Sequence, residues 1–416
     1  MITAGIVTKF FLSFLIIKGI IESYLEAKNK SHIFSKRAAV PEKFAGQISL
    51  EEHQKAADYS VTKIKVAQVF EVVGFVMLLA WTLGGGLEYL NKTVAAISES
   101  SIVRGMAFFA LFSLISTFIG LPQNIYNTFV IEERFGFNKM TPKLFVIDLF
   151  KGLILGSLIG LPILAGLLWF IESAGDHWWV LGWAFLTTVQ LVLLWAYPTF
   201  IAPLFNKFSP LEEGEVKERV MGLLERTGFF SKGLFVMNAS IRSSHGNAYF
   251  TGFGRNKRIV FFDTLINVLQ PGEVEAVLAH ELGHFKRKHV LKGLLKAICF
   301  SGIGFFILGQ LMKQPAFFTG HGIETMTTYS ALAIFMMVAG VYTFWLTPLS
   351  SKISRKYEFE ADEFASQHAE AKNLITALVK LYKDNASTLT PDPTYSAWYH
   401  SHPPALTRVE HLESLA

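Results

Sequence analysis

Two imidazoles and a carboxylate share one short run, His280-Glu281-Leu282-Gly283-His284, and their spacing sets what they can do. On a helix, residues i and i+4 lie on one face, so both rings can bind a single metal ion while Glu281 reaches a water on it. The chemistry is zinc-assisted hydrolysis: zinc lowers the pKa of water to about 7, and Glu281 takes the proton as that water attacks a carbonyl.

A catalytic zinc needs a third protein ligand and an open fourth position. The extended motif with a third His is excluded, because Arg287 and Val290 stand where its Gly and His fall. The other source is a Glu on a later helix, and Tyr357-Glu358-Phe359-Glu360-Ala361-Asp362 offers it. Glu358 and Asp362 are again i and i+4 on one helical face. Glu358 is assigned as the third ligand. Asp362 is assigned to accept a hydrogen bond from the other ring nitrogen of a zinc His, fixing its tautomer. His289 follows His284 by five residues, is rotated off the ligand face and reads as structural.

The elements that must hold these residues are set by composition. In 416 residues, 51% are hydrophobic and 14% aromatic, and the mean hydropathy is +0.37, too apolar for a soluble enzyme. Seven stretches are long and apolar enough to cross a bilayer: Ile2 to Ile21, Val66 to Leu87, Met106 to Ile125, Leu144 to Ile171, Trp178 to Tyr197, Val290 to Met312 and Tyr329 to Trp345. The first, interrupted by Lys9 and Lys18, lacks the flanks of a cleaved signal and reads as a retained anchor.

The loop after span one carries Lys28, Lys30, Lys36, Arg37, Lys43, Lys55, Lys63 and Lys65, whereas Glu172 to Trp178 carries no Lys or Arg. The positive-inside rule puts the first loop, the Pro198 to His289 segment and the C-terminal tail in the cytoplasm. His284 then precedes span six and Glu358 follows span seven, so a transmembrane hairpin returns the chain and unites the ligands. About five residues separate His284 from span six, on the order of 8 Å along a helix, so the site lies close to the bilayer. Lys286, Arg287 and Lys288 fall at headgroup level and carry no catalytic role. The domain plan is 1–200, spans one to five; 201–289, protease region; 290–348, spans six and seven; 349–416, the segment completing the site.

Glu71, Asp148 and Lys151 fall inside spans. Glu71 reads as facing a polar chamber; Asp148 and Lys151 either share it or pair with each other across one turn. Leu234–Met237, Ala248–Thr251 and Ile259–Phe262 read as short strands, the last two joined by a turn from Gly252 to Lys257. A strand edge here either holds an extended peptide beside the metal or packs under the metal helix.

Together with the metal motifs, Arg355-Lys356 before Tyr357, Ser243-Ser244-His245-Gly246-Asn247-Ala248-Tyr249 and His402-Pro403-Pro404 give the chain a resemblance. It resembles the Ste24-type integral-membrane zinc metalloproteases, the type I CaaX prenyl proteases of family M48. The resemblance implies a mainly α fold: seven transmembrane helices forming a barrel with an intramembrane chamber, plus a gluzincin-like zinc protease domain with a small β-sheet. It implies one Zn2+ per chain on His280, His284 and Glu358, with Glu281 as general base. It also implies Asn247 on an edge strand contacting substrate backbone, His402 stabilising the oxyanion, and Arg408 orienting the surroundings of the zinc Glu.

The implied activity is endoproteolysis near the C-terminus of isoprenylated CaaX proteins, in an ER or bacterial cytoplasmic membrane. Its partners are membrane lipids and peptide or protein substrates. A membrane quality-control protease with no prenyl requirement is the second reading, since the short turn from Lys313 to Thr328 suits a compact, bacterial member. A seven-span binding protein with a structural metal is the third, disfavoured because the lone Cys299 lies within span six, away from the site. The net charge of +5 resides in cytoplasmic loops, so no nucleic-acid partner is expected.

Overall fold

The computed structural model describes residues 3–251 and 257–415. The chain opens with α1 (Ala4–Lys36), α2 (Leu50–Trp81), α3 (Gly86–Ala95), α4 (Ser101–Tyr126), α5 (Pro142–Ser173) and α6 (Trp178–Ala196). Next come β1 (Phe208–Pro210), α7 (Glu215–Arg226), β2 (Gly233–Met237), β3 (Ala248–Thr251), β4 (Arg258–Phe262), α8 (Asp263–Ile266) and α9 (Pro271–Lys286). The remainder is α10 (His289–Leu311), α11 (Pro315–Thr319), α12 (Thr328–Thr343), α13 (Thr347–His368), α14 (Ala371–Asp384), α15 (Pro393–Tyr399) and α16 (Ala405–Leu415).

Local sequence starts these helices where they start. Ser49 and Glu52 form a reciprocal cap on α2, Thr141 caps α5 ahead of Pro142, and Gln270 and Glu273 cap α9 ahead of Pro271. Each cap satisfies backbone N–H groups that the first helical turn leaves without partners.

Among the described residues seven helical runs, α1, α2, α4, α5, α6, α10 and α12 continued into α13, are long and apolar enough to cross a membrane. Their largest shared core lies at the end remote from α9. There Phe11, Leu90, Phe108, Leu168, Trp178, Leu308, Phe317 and Tyr329 bury one another, and α3 and α11 form a cap over them. Gly105 permits this closure, since a Cβ there would lie 2.5 Å from Leu168 Cδ1. Toward the other end the helices part: no residue in the most apolar stretch of α2 or of α10 is buried. Cavities of about 880 Å³, between α1, α2 and α12, and about 1070 Å³, among α4, α5, α6, α10 and α12, occupy the gaps. Glu71 lines the first of these with Lys18, Glu22 and Gln68. Asp148 and Lys151 do not pair with each other: Asp148 accepts two hydrogen bonds from Arg242, at 2.8 and 3.1 Å, and Lys151 Nζ donates to the Leu204 carbonyl at 2.8 Å.

The sheet has order β1-β2-β4-β3, with β2 and β4 parallel and both outer pairs antiparallel. β3 is therefore an edge strand, its Ala248 opposite Phe261 and its Tyr249 opposite Val260. The turn expected from Gly252 to Lys257 lies outside the described residues, apart from Lys257. Beneath the sheet, α7, α9 and α14 share a second core around Leu223, Ile259, Phe261, Leu278 and Leu282.

Candidate metal centre

The helices that carry the motifs are continuations of spans. α13 prolongs α12 after a single turn at Phe344–Leu346, and α9 hands over to α10 at Lys288, whose φ of 60° breaks the helix. α9 and α13 cross at Gly283 and Ala361, where a Cβ on Gly283 would sit 2.8 Å from Ala361 Cα. That close approach brings the His280 and His284 face against Glu358, one turn before Ala361.

The three groups converge on a point. His280 Nε2 and His284 Nε2 are 3.2 Å apart, His284 Nε2 is 3.2 Å from Glu358 Oε1, and His280 Nε2 is 3.6 Å from Glu358 Oε2. Ligands held tetrahedrally at 2.0–2.2 Å from one ion lie roughly 3.3–3.5 Å apart, so the triangle fits an ion of that kind. Glu358 is buried, and its Oε2 accepts no hydrogen bond among the described residues, although His402 Nδ1 lies 2.7 Å away off the line such a bond requires.

Electrostatics agree with this geometry. Burial and the Arg408 charge both disfavour a charged His280, yet the Asp362 and Glu358 carboxylates outweigh them and raise its pKa to about 9. The site attracts positive charge at the place a metal would supply it.

Both ligand rings are oriented from behind. His280 Nδ1 contacts Asp362 Oδ1 at 2.8 Å, and Arg408 clamps that fully buried carboxylate with Nε at 3.0 Å and Nη2 at 2.6 Å. Arg408 Nη1 also lies 3.5 Å from Glu358 Oε2. His284 Nδ1 meets His289 Nδ1 at 3.1 Å, and His289 Nε2 meets Glu360 Oε2 at 2.9 Å. With the Nε2 atoms aimed at the ion, His284 donates to His289, which in turn donates to Glu360. His289 stacks on Tyr357, with ring centroids 4.1 Å apart. His289, expected from its spacing to lie off the face of His280 and His284, thus contacts His284, with Glu360 behind it.

Glu281 is half-buried, and its carboxylate makes no hydrogen bond or ion pair among the described residues. Asn247 is exposed at the head of β3, its Oδ1 accepting the Ala248 N–H at 2.8 Å. His402 stands at the rim with 63% of its side chain exposed.

Comparison with known proteins agrees with the geometry. Residues 30–207 match the family described as CAAX prenyl protease N-terminal, five membrane helices, and residues 210–416 match peptidase family M48. A CAAX prenyl protease 1 homolog of Arabidopsis thaliana is 35% identical over 410 residues, covering 97% of this chain and 96% of that protein. CAAX prenyl protease 1 of Saccharomyces cerevisiae is 33% identical over 424 residues, covering 94% and 92%. The crystal structure of S. mikatae Ste24p superposes with a TM-score of 0.90 at 31% identity, covering 98% of each chain. Motif, metal geometry and whole-chain similarity converge: the chain belongs to the Ste24-type CAAX prenyl proteases of peptidase family M48, multi-pass membrane metalloendopeptidases.

Proposed function

We propose that this protein is a zinc endopeptidase that cuts near the C-terminus of isoprenylated CaaX-type substrates. The observation that carries the reading is the convergence of His280, His284 and Glu358 in a chain similar along its whole length to CAAX prenyl proteases. These three residues hold one Zn2+, whose Lewis acidity, when it is bound, activates water and draws charge from the scissile carbonyl. Glu281 removes a proton from the attacking water and returns it to the leaving amine. His402 donates to the oxyanion as it develops, from the ring nitrogen remote from Glu358. Asn247 and the open edge of β3 hold the substrate backbone in extended form. Asp362 and Arg408 fix the His280 tautomer and the position of Glu358.

The fourfold division at residues 200, 289 and 348 describes how the work is shared between spans and protease region. The concentration of Lys and Arg from Lys28 to Lys65, between the apolar stretches of α1 and α2, supports a cytosolic active site, in an ER or bacterial cytoplasmic membrane.

The test is mass-spectrometric cleavage of a farnesylated CaaX peptide and its unprenylated twin by the purified protein, with and without phenanthroline. Cleavage only of the prenylated peptide, just after its modified Cys, abolished by chelation and restored by zinc, is expected. Glu281→Gln should retain its metal and lose roughly 10²–10⁴-fold in kcat. Equal cutting of both peptides at scattered sites would instead favour membrane quality control.

A further inference from the structure

Beside the metal centre lies a cavity of about 620 Å³ that shares His402 with the reaction and otherwise has no part in it. Its wall includes His402, His245, Asn385, Tyr59, Lys63 and Tyr399, and among the described residues no Asp or Glu lines it. We propose that this cavity seats the released carboxy-terminal segment of the substrate and that Lys63 reads the segment's free α-carboxylate. The inference rests on the proposed CaaX-type activity, in which the bond cut lies a few residues from a free C-terminus.

Direction follows from the sheet. Among the described residues β3 pairs with β4 on one side only, and a peptide added to its open edge in the stronger antiparallel sense runs opposite to β3. Residues after the scissile bond therefore pass Asn247 and head toward Gly246 and His245, where the cavity begins. Three extended residues cover about 10 Å. The volume is that of an ordinary small-ligand site, roughly 300–1000 Å³.

Charge selects what ends there. Lys63 has no ion pair among the described residues; its Nζ donates to Tyr59 Oη at 3.3 Å and lies 4.8 Å from that ring's centroid. Glu132, whose charge Lys63 also feels, is already engaged, taking the Tyr59 O–H at 2.5 Å and facing His245 Nε2 at 3.3 Å, and Glu26 shares a neighbouring pocket with Lys63 without pairing with it. An ammonium has three N–H donors, so Lys63 keeps at least two for an incoming anion. The His245 ring is held facing the cavity by Asn385 at 3.0 Å and by stacking on Phe137 at 4.6 Å. A cation with donors to spare, on the side where the C-terminal segment leaves, fits a peptide carboxylate.

The experiment uses the full-length protein and two farnesylated peptides that differ only in ending as an acid or as a carboxamide. A charge-assisted hydrogen bond predicts that the acid is preferred roughly 10- to 100-fold in kcat/KM, chiefly through KM. Lys63→Gln should bring the ratio close to one, Lys63→Arg should keep it, and Lys63→Glu should favour the amide. Each ratio is taken within one preparation, so a loss of folded enzyme cancels. Equal cleavage of acid and amide by the unsubstituted protein, or a preference that survives Lys63→Gln, overturns the assignment while leaving the proteolytic function intact. Failure to cut either peptide after its modified Cys overturns the function itself, and this inference with it.

Discussion

On an uninterrupted helix His289 would point away from the face shared by His280 and His284, and the sequence reads that way. Lys288 changes the outcome: its left-handed backbone, φ 60°, ends α9 and restarts the chain as α10 with His289 turned back onto His284. A non-glycine residue in that region is uncommon, and nothing in the run Lys286-Arg287-Lys288 announces it. The i, i+4 pairs were legible because they depend on helical pitch alone. Removing His289 should leave the His284 ring free to rotate. His289→Ala is expected to weaken metal affinity about 10- to 100-fold, read by competition against a chelator; unchanged affinity would take His289 out of the site. Arg408 acts on the other ring through Asp362. Arg408→Ala strands that buried carboxylate with only His280 as partner, and a loss of about 3–5 kcal/mol is expected in unfolding of the detergent-solubilised protein. Arg408→Lys should recover only part of it, since an ammonium cannot reproduce the guanidinium fork on both Asp362 oxygens.

Among elements, the spans declared themselves through length and apolarity, and β2, β3 and β4 through β-branched and aromatic runs bounded by turn residues. The elements that escaped are short and have no pattern to show. β1 is three residues ending in Pro210, and α11 is five residues in what reads as a plain turn. Asp148 could not be assigned because its partner, Arg242, is remote in sequence and becomes a neighbour only once the protease region docks on α5. The crossing of α9 and α13 was equally hidden, although Gly283 sits inside the most conspicuous motif of the chain. Its role is clearance. Gly283→Ala must move Ala361 and with it Glu358, so a destabilisation of about 1–3 kcal/mol with a drop in bound metal is expected. Full metal occupancy and an unchanged Tm would show that the crossing is looser than the 2.8 Å approach implies.

For the whole molecule, the distribution of Lys and Arg predicts which loops share a side of the membrane. In a Cys299→Ser background, Lys43→Cys and Asp176→Cys should react with a membrane-impermeant thiol reagent from opposite faces of sealed vesicles. Both positions make only exposed ion pairs, with Glu413 and Lys313, so neither change should disturb folding. Labelling from the same face would break the seven-span plan. The hairpin of α10 and α12 between α9 and α13 also sets a sequence of events in time. Synthesis delivers His280 and His284 first, then a span out and a span back, then Glu358, and only afterwards Arg408 on α16. Until the hairpin has inserted, the growing polypeptide carries half of a catalytic centre. On the proposed assignment, the peptidase is thus born without its blade, and its cutting power waits on its own insertion.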